Sequence, residues 1–141
     1  MITATQGVQI TSPCPTCGGV LVRDVGQYIE RGQLRWCVEG CCGSCATGWC
    51  ERGAGPATEE VRQALLAQHG AARLRLASNG SSLVPVLRAL REVRQLSLGE
   101  ARLAAAELSE IGMVGTGVEM ELLAEGLRKQ SVPTTLTTSP A

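Results

Sequence analysis

The chain has 141 residues, with 13 basic and 13 acidic side chains, so its formal net charge is zero and no global field draws it to nucleic acid or anionic lipid. Apolar residues make up 44% but aromatics only 2%, with Phe absent, so any core must be built from Leu, Val, Ala and Ile. The longest uncharged stretch, residues 1–22, is interrupted throughout by Thr, Gln, Ser, Pro and Gly, so no run of the roughly 18–20 apolar residues of a membrane span is expected, and residues 1–9 lack the basic cluster and apolar run of a secretory signal. A cytoplasmic protein without a membrane partner is the expectation.

All seven cysteines fall between Cys14 and Cys50, and none in the last 91 residues. An odd count without a signal peptide argues against a disulfide framework and for metal ligation in a reducing compartment. The same uneven usage divides the chain. Residues 1–54 read as a Cys-rich, zinc-ribbon-like module, 55–70 as a connecting helix, 71–137 as an α/β domain and 138–141 as a tail.

In Cys14-Pro15-Thr16-Cys17-Gly18-Gly19 two thiols stand three residues apart, with Pro inside and glycines behind. This is the turn of a zinc knuckle, which aims both sulfurs into one concavity. Cys42-Gly43-Ser44-Cys45 supplies the simplest second pair, with Cys41 competing with Cys42. Between the pairs, Val20–Val22, Gln27–Ile29 and Leu34–Val38 alternate as strands do, the last two joined across an Arg31-Gly32 turn. Cys14, Cys17, Cys42 and Cys45 are therefore the candidate ligands of one Zn2+. Such a site is coordinatively closed and holds a fold together without offering a position for water. Cys37 and Cys50 remain over, as spare thiols or as a disulfide. A thioredoxin-like role for Cys14 and Cys17 is disfavoured, because Gly18-Gly19 is a poor helix start.

Pro56, Glu59 and Glu60 mark a helix start, Val61 and Leu65 give it an apolar stripe, and Gly70 stops it, so a helix is expected over 57–69. His69 sits at its C-terminal end, where an imidazole suits the helix dipole better than it suits a metal. Residues 71–77 alternate as a strand, with Leu74 and Leu76 on one face. Asn79 to Ser82 form a turn and cap a helix over about 83–95, whose core stripe is Leu83, Val86, Leu90 and Val93. A second stripe carries Val84, Leu87, Arg88 and Arg91. Ser97 and Glu100 make a capping box for a helix to about 109, with Leu98, Ala101, Ala105 and Leu108 inside. Thr116 and Glu119 make another, for a helix to about 129 that buries Val118, Leu122 and Leu123. A residual strand is expected near 111–114. Val132, Thr134 and Leu136 close the domain as an edge strand.

This order, with Val84-Pro85-Val86-Leu87-Arg88-Ala89-Leu90-Arg91 and Leu96-Ser97-Leu98-Gly99-Glu100-Ala101-Arg102, resembles the C-terminal domain of the bacterial ribosomal stalk protein. The likeness covers about 71–137. The fold class expected is thus α+β: a small zinc-ribbon-like β module followed by a β-α-α-β-type α/β sandwich. In that family the helix pair catches translational GTPases, and the resemblance carries that role onto Val84, Leu87, Arg88, Arg91 and Arg102. Arg stands here where the family has Lys at positions 88 and 102, and Gly99 replaces a further Lys.

No phosphate-binding loop, nucleophile–base pair or carboxylate pair accompanies these features, so a non-enzymatic zinc-containing adaptor is expected. Its protein partner would be a translation factor or a ribosome component, or a toxin if the chain is an immunity protein. Nucleic-acid binding by the ribbon is the weaker alternative. Arg23, Arg31, Arg35 and Arg52 are balanced there by Asp24, Glu30, Glu39 and Glu51, and only Tyr28, Trp36 and Trp49 are available for stacking.

Overall fold

A computed structural model describes residues 1–77 and 82–139. The chain forms two compact units, Met1–His69 and Gly70–Ala141. No helix among the described residues is long and apolar enough to cross a membrane.

The first unit is a four-stranded antiparallel sheet in the order β1-β2-β3-β4, made of β1 (Ile2–Pro13), β2 (Val20–Glu30), β3 (Gln33–Cys42) and β4 (Gly48–Ala54). The three short strands expected between Val20 and Val38 are parts of the two long strands β2 and β3. They meet at the expected Arg31-Gly32 turn, where both residues have positive φ (53° and 73°), the backbone a two-residue hairpin needs. β1 and β4 have no counterpart in the expected elements.

Helix α1 (Glu59–His69) belongs to this unit. Its Val61 and Leu65 are buried against Val25, with Val8, Ile10, Trp36 and Val38 packed around them. Strand alternation puts these four and Val25 on a single sheet face, so α1 covers that face and leaves the other open. Arg23 on β2 pairs with Glu60 in the first turn of α1. At one end of the sheet a smaller cluster joins Leu21 to Cys14 and Cys42.

The second unit runs β5 (Ala72–Leu76), α2 (Leu83–Arg94), α3 (Leu98–Glu110), β6 (Met113–Gly115), α4 (Gly117–Lys129) and β7 (Thr134–Thr138). Its antiparallel sheet has the order β6-β5-β7. Ala72 and Leu74 on β5 join a core built from Val86, Leu90, Ala101, Ala105, Leu108, Met120, Leu123 and Leu127. This is an aliphatic core with no aromatic ring, as the composition requires. Alternation turns Arg73 and Arg75 to the other side of β5, where Arg75 Nη2 donates to the Glu110 carbonyl at 2.8 Å and Arg73 to that of Ile111. Both guanidinium groups thereby serve the carbonyl-rich C-terminal end of α3.

Both capping boxes are formed. Ser97 Oγ accepts from the Glu100 amide and Glu100 returns a bond to the Ser97 amide; Thr116 and Glu119 do the same. The turn expected from Asn79 lies, through residue 81, outside the described residues. Ser82 occupies the N-cap position of α2 in extended backbone but makes no side-chain capping bond. The core stripe of α2 is rotated from the expected one. Leu83 is 52% exposed, while Leu87 and Ala89 are buried beside Val86 and Leu90. Leu98, expected inside α3, is 45% exposed, and Ala104 is buried in the interior with Ala101 and Ala105. Leu83 and Leu98 are the first residues of their helices, and the buried positions begin at Val86 and Ala101.

Candidate metal centre

The long hairpins bring two turns together at one end of the four-stranded sheet. Cys14 directly follows β1 and is 2% exposed; its amide donates to the Gly19 carbonyl at 2.7 Å, and the Gly18 amide donates back to the Cys14 carbonyl at 2.8 Å. This closes a tight loop in which Gly18 has φ +75°, a backbone angle that suits glycine. Cys42 ends β3, and its amide donates to the Thr47 carbonyl at 3.0 Å, closing the second loop. The Gly43 amide reaches the Val20 carbonyl at 3.3 Å and ties that loop to β2. At Gly19 a Cβ would stand 2.7 Å from Ser44 Oγ, so glycine allows the two turns to approach.

The Sγ atoms of Cys14, Cys17, Cys42 and Cys45 all lie within 4.8 Å of one another, the one such group of metal-ligating side chains among the described residues. Two of the separations are 3.8 Å (Cys14–Cys45) and 3.5 Å (Cys17–Cys42). Tetrahedral Zn–S bonds of about 2.3 Å set sulfurs about 3.8 Å apart, so the cluster has the dimensions of a four-thiolate site. Backbone amides support two of the sulfurs: that of Gly19 donates to Cys17 Sγ (3.4 Å) and that of Ser44 to Cys42 Sγ (3.3 Å).

The thiols influence one another's ionisation. Backbone amides of Cys17 and Thr16 hold the Cys14 thiol down to about 6. Thr47, whose Oγ1 lies 3.1 Å from Cys45 Sγ, lowers Cys45 through its hydroxyl and its amide. The Gly19 amide favours a Cys17 thiolate, but the neighbouring sulfurs of Cys42, Cys45 and Cys14 outweigh it and push Cys17 up to about 12. Four thiolates this close would repel, and a divalent cation held among them would favour the deprotonated form of each.

Of the two cysteines competing as third ligand, Cys42 is in the cluster. Cys41 is exposed, because adjacent residues of β3 point to opposite faces. Cys37 and Cys50 share the open face of the sheet with Cys41, opposite Arg52 and Glu39 respectively. Both are free thiols, and burial pushes Cys37 upward. His69 is no ligand. Its Nε2 lies 2.9 Å from the Gly7 carbonyl oxygen.

In the second unit, Val84, Leu87, Arg88 and Arg91 line one surface groove, together with Glu92 and Leu98. Leu87 departs from its expected place on an outward stripe. At 9% exposure it belongs to the core cluster and offers only its edge to the groove floor. Val84 (60% exposed) and Leu98 supply the accessible apolar surface instead. Arg88 and Arg91 are exposed, and Arg91 Nε also donates to the Leu96 carbonyl at 3.4 Å, bracing the α2–α3 turn. Arg102 is exposed on α3 and is not part of the lining. Leu98 falls on the apolar stripe of α3 in sequence, and the packing of α2 against α3 sets it in the groove instead. Comparison with family models, curated proteins and solved structures finds no match to this chain.

Proposed function

We propose that this chain is a non-enzymatic adaptor. A Zn2+ held by Cys14, Cys17, Cys42 and Cys45 cross-links its first unit, and the groove between α2 and α3 of its second unit docks a protein. Zinc is the ion best matched to four sulfurs at tetrahedral spacing, and it supplies a structural cross-link that ties the β1–β2 turn to the β3–β4 turn. The docking reading is carried by one observation: exposed Val84 and Leu98 stand beside the guanidinium groups of Arg88 and Arg91 around a single depression. Apolar surface flanked by Arg is the composition of protein-binding patches. The order β5-α2-α3-β6-α4-β7 and the motif residues support the likeness to the ribosomal stalk domain, and through it a translational GTPase or ribosome component as the partner.

Metal analysis should return about one zinc per chain and no iron; a metal-free, fully folded chain would overturn the zinc assignment. Purified translational GTPases titrated against the chain should bind it, and Arg88→Glu with Arg91→Glu should abolish binding while the helical circular dichroism is unchanged. Binding that survives this double substitution would place the interface elsewhere.

A further inference from the structure

β1 is an outer strand of the first unit's sheet, and we propose that two copies of this chain pair through it, antiparallel and edge to edge, into one continuous sheet. The direction of its backbone groups follows from the register. The Gly43 amide donates to the Val20 carbonyl, which assigns the even-numbered residues of β2 to β3 and the odd-numbered ones to β1. With Val8 opposite Val25 and Ile10 opposite Arg23, the even-numbered residues of β1 bond to β2. The amides and carbonyls of Thr5, Gly7, Gln9 and Thr11 therefore point away from the sheet. Among the described residues no strand lies against them.

Long open edges invite pairing, and proteins blunt them with charge, proline or brevity. The opposite edge is treated in that way: β4 has only 7 residues and carries Glu51 and Arg52. β1 has 12 residues, none charged, and its proline is the last of them. Thr, Val and Ile give it the composition of a good strand. Thr5, Gly7, Gln9 and Thr11 are all exposed.

A second copy of this chain is the occupant that these features fit. Laid antiparallel about Gly7, an uncharged strand meets its own uncharged sequence without repulsion, and Thr5 faces Gln9 of the second copy. The outward amides and carbonyls of Thr5, Gly7 and Gln9 then satisfy one another on both strands. One contact has to be exchanged: His69 Nε2 sits 2.9 Å from the Gly7 carbonyl oxygen, an exposed hydrogen bond that strand pairing replaces. His69 thus restrains the edge without closing it.

Sedimentation of the intact chain over a wide concentration range tests this. The expected result is a monomer–dimer equilibrium. Thr5→Lys with Gln9→Lys, which sets like charges opposite one another twice, should weaken the dimer about tenfold. Thr5→Lys with Gln9→Glu, which sets opposite charges there, should restore it. Gln9→Pro removes an outward amide and no β1–β2 bond, and should weaken the dimer without any charge change. His69→Ala should tighten it. A chain that stays monomeric throughout, or a dimer indifferent to both lysine variants and to Gln9→Pro, would overturn the proposal, including by showing that the edge serves a different partner.

Discussion

Gly53 and Gly40 lie directly across from Trp36 and Trp49 on β3 and β4, and each indole lies over its glycine. A Cβ at Gly53 would stand 2.5 Å from the Trp36 ring, and one at Gly40 would stand 2.6 Å from the Trp49 ring. Trp36 packs against the α1 cluster whereas Trp49 is 38% exposed, so the two indoles differ in their freedom to move aside. Gly53→Ala should therefore cost about 1–3 kcal/mol in overpacking, and Gly40→Ala less, as read from denaturant midpoints followed by tryptophan emission. The neighbouring cysteines make a second contrast. Cys42→Ser should abolish the metal binding proposed for the cluster and destabilise the β-unit, while Cys41→Ser, on the open face, should leave stability within about 0.5 kcal/mol and metal content unchanged.

The two capping boxes allow a comparison between elements of like geometry. Thr116 is 1% exposed and Glu119 9%, whereas Ser97 and Glu100 are at the surface. Losing the buried cap leaves amides that water cannot reach. Thr116→Ala should then cost near 2 kcal/mol and Ser97→Ala nearer 0.5, the two ends of the range for such caps. The Ser97 amide and hydroxyl hold the Glu100 carboxyl below its ordinary value of 4.5. A depressed carboxylate stabilises the fold above its unfolded value and ceases to as pH falls through the folded one. The Ser97→Ala deficit measured at neutral pH should accordingly shrink as the pH is taken below about 4. Such boxes were legible in sequence because their two residues are three apart and need nothing else. The inward face of α2 was not: Leu83 and Leu87 both fit an apolar stripe, and the position of α3 and α4 decides which is covered.

For the whole molecule, the distribution of aromatic residues gives a direct measurement. Trp36, Trp49 and Tyr28 are all in the first unit, and the second has no aromatic side chain. Tryptophan emission therefore follows the β-unit alone, while three of the four helices among the described residues, and most of the helical circular dichroism, belong to the other unit. A strong chelator should lower the unfolding midpoint seen by emission and leave most of the helical transition where it was. The two units' cores share no residue, and the thiol cluster that would hold the proposed metal lies only in the first unit.

Local chemistry was readable from the chain by itself. The knuckle turns, the Arg31-Gly32 hairpin and the capping boxes depend on residues a few positions apart, and each brings its own backbone or hydrogen-bond requirement. Choosing Cys42 over Cys41 required the phase of β3, which pairing with β2 fixes. β1 was hidden because Thr and Gln alternate there with Val and Ile at only partial burial, and β4 because Cys, Glu, Arg and Gly show no apolar period. Both strands are specified by the neighbours they bond to. The groove has the same origin: Val84 and Leu98 belong to different helices, and only the packing of α2 against α3 sets them beside Arg88 and Arg91. Residues adjacent in the chain carry their rules with them, whereas a face, an edge or a groove exists only where separate elements have buried their apolar sides together.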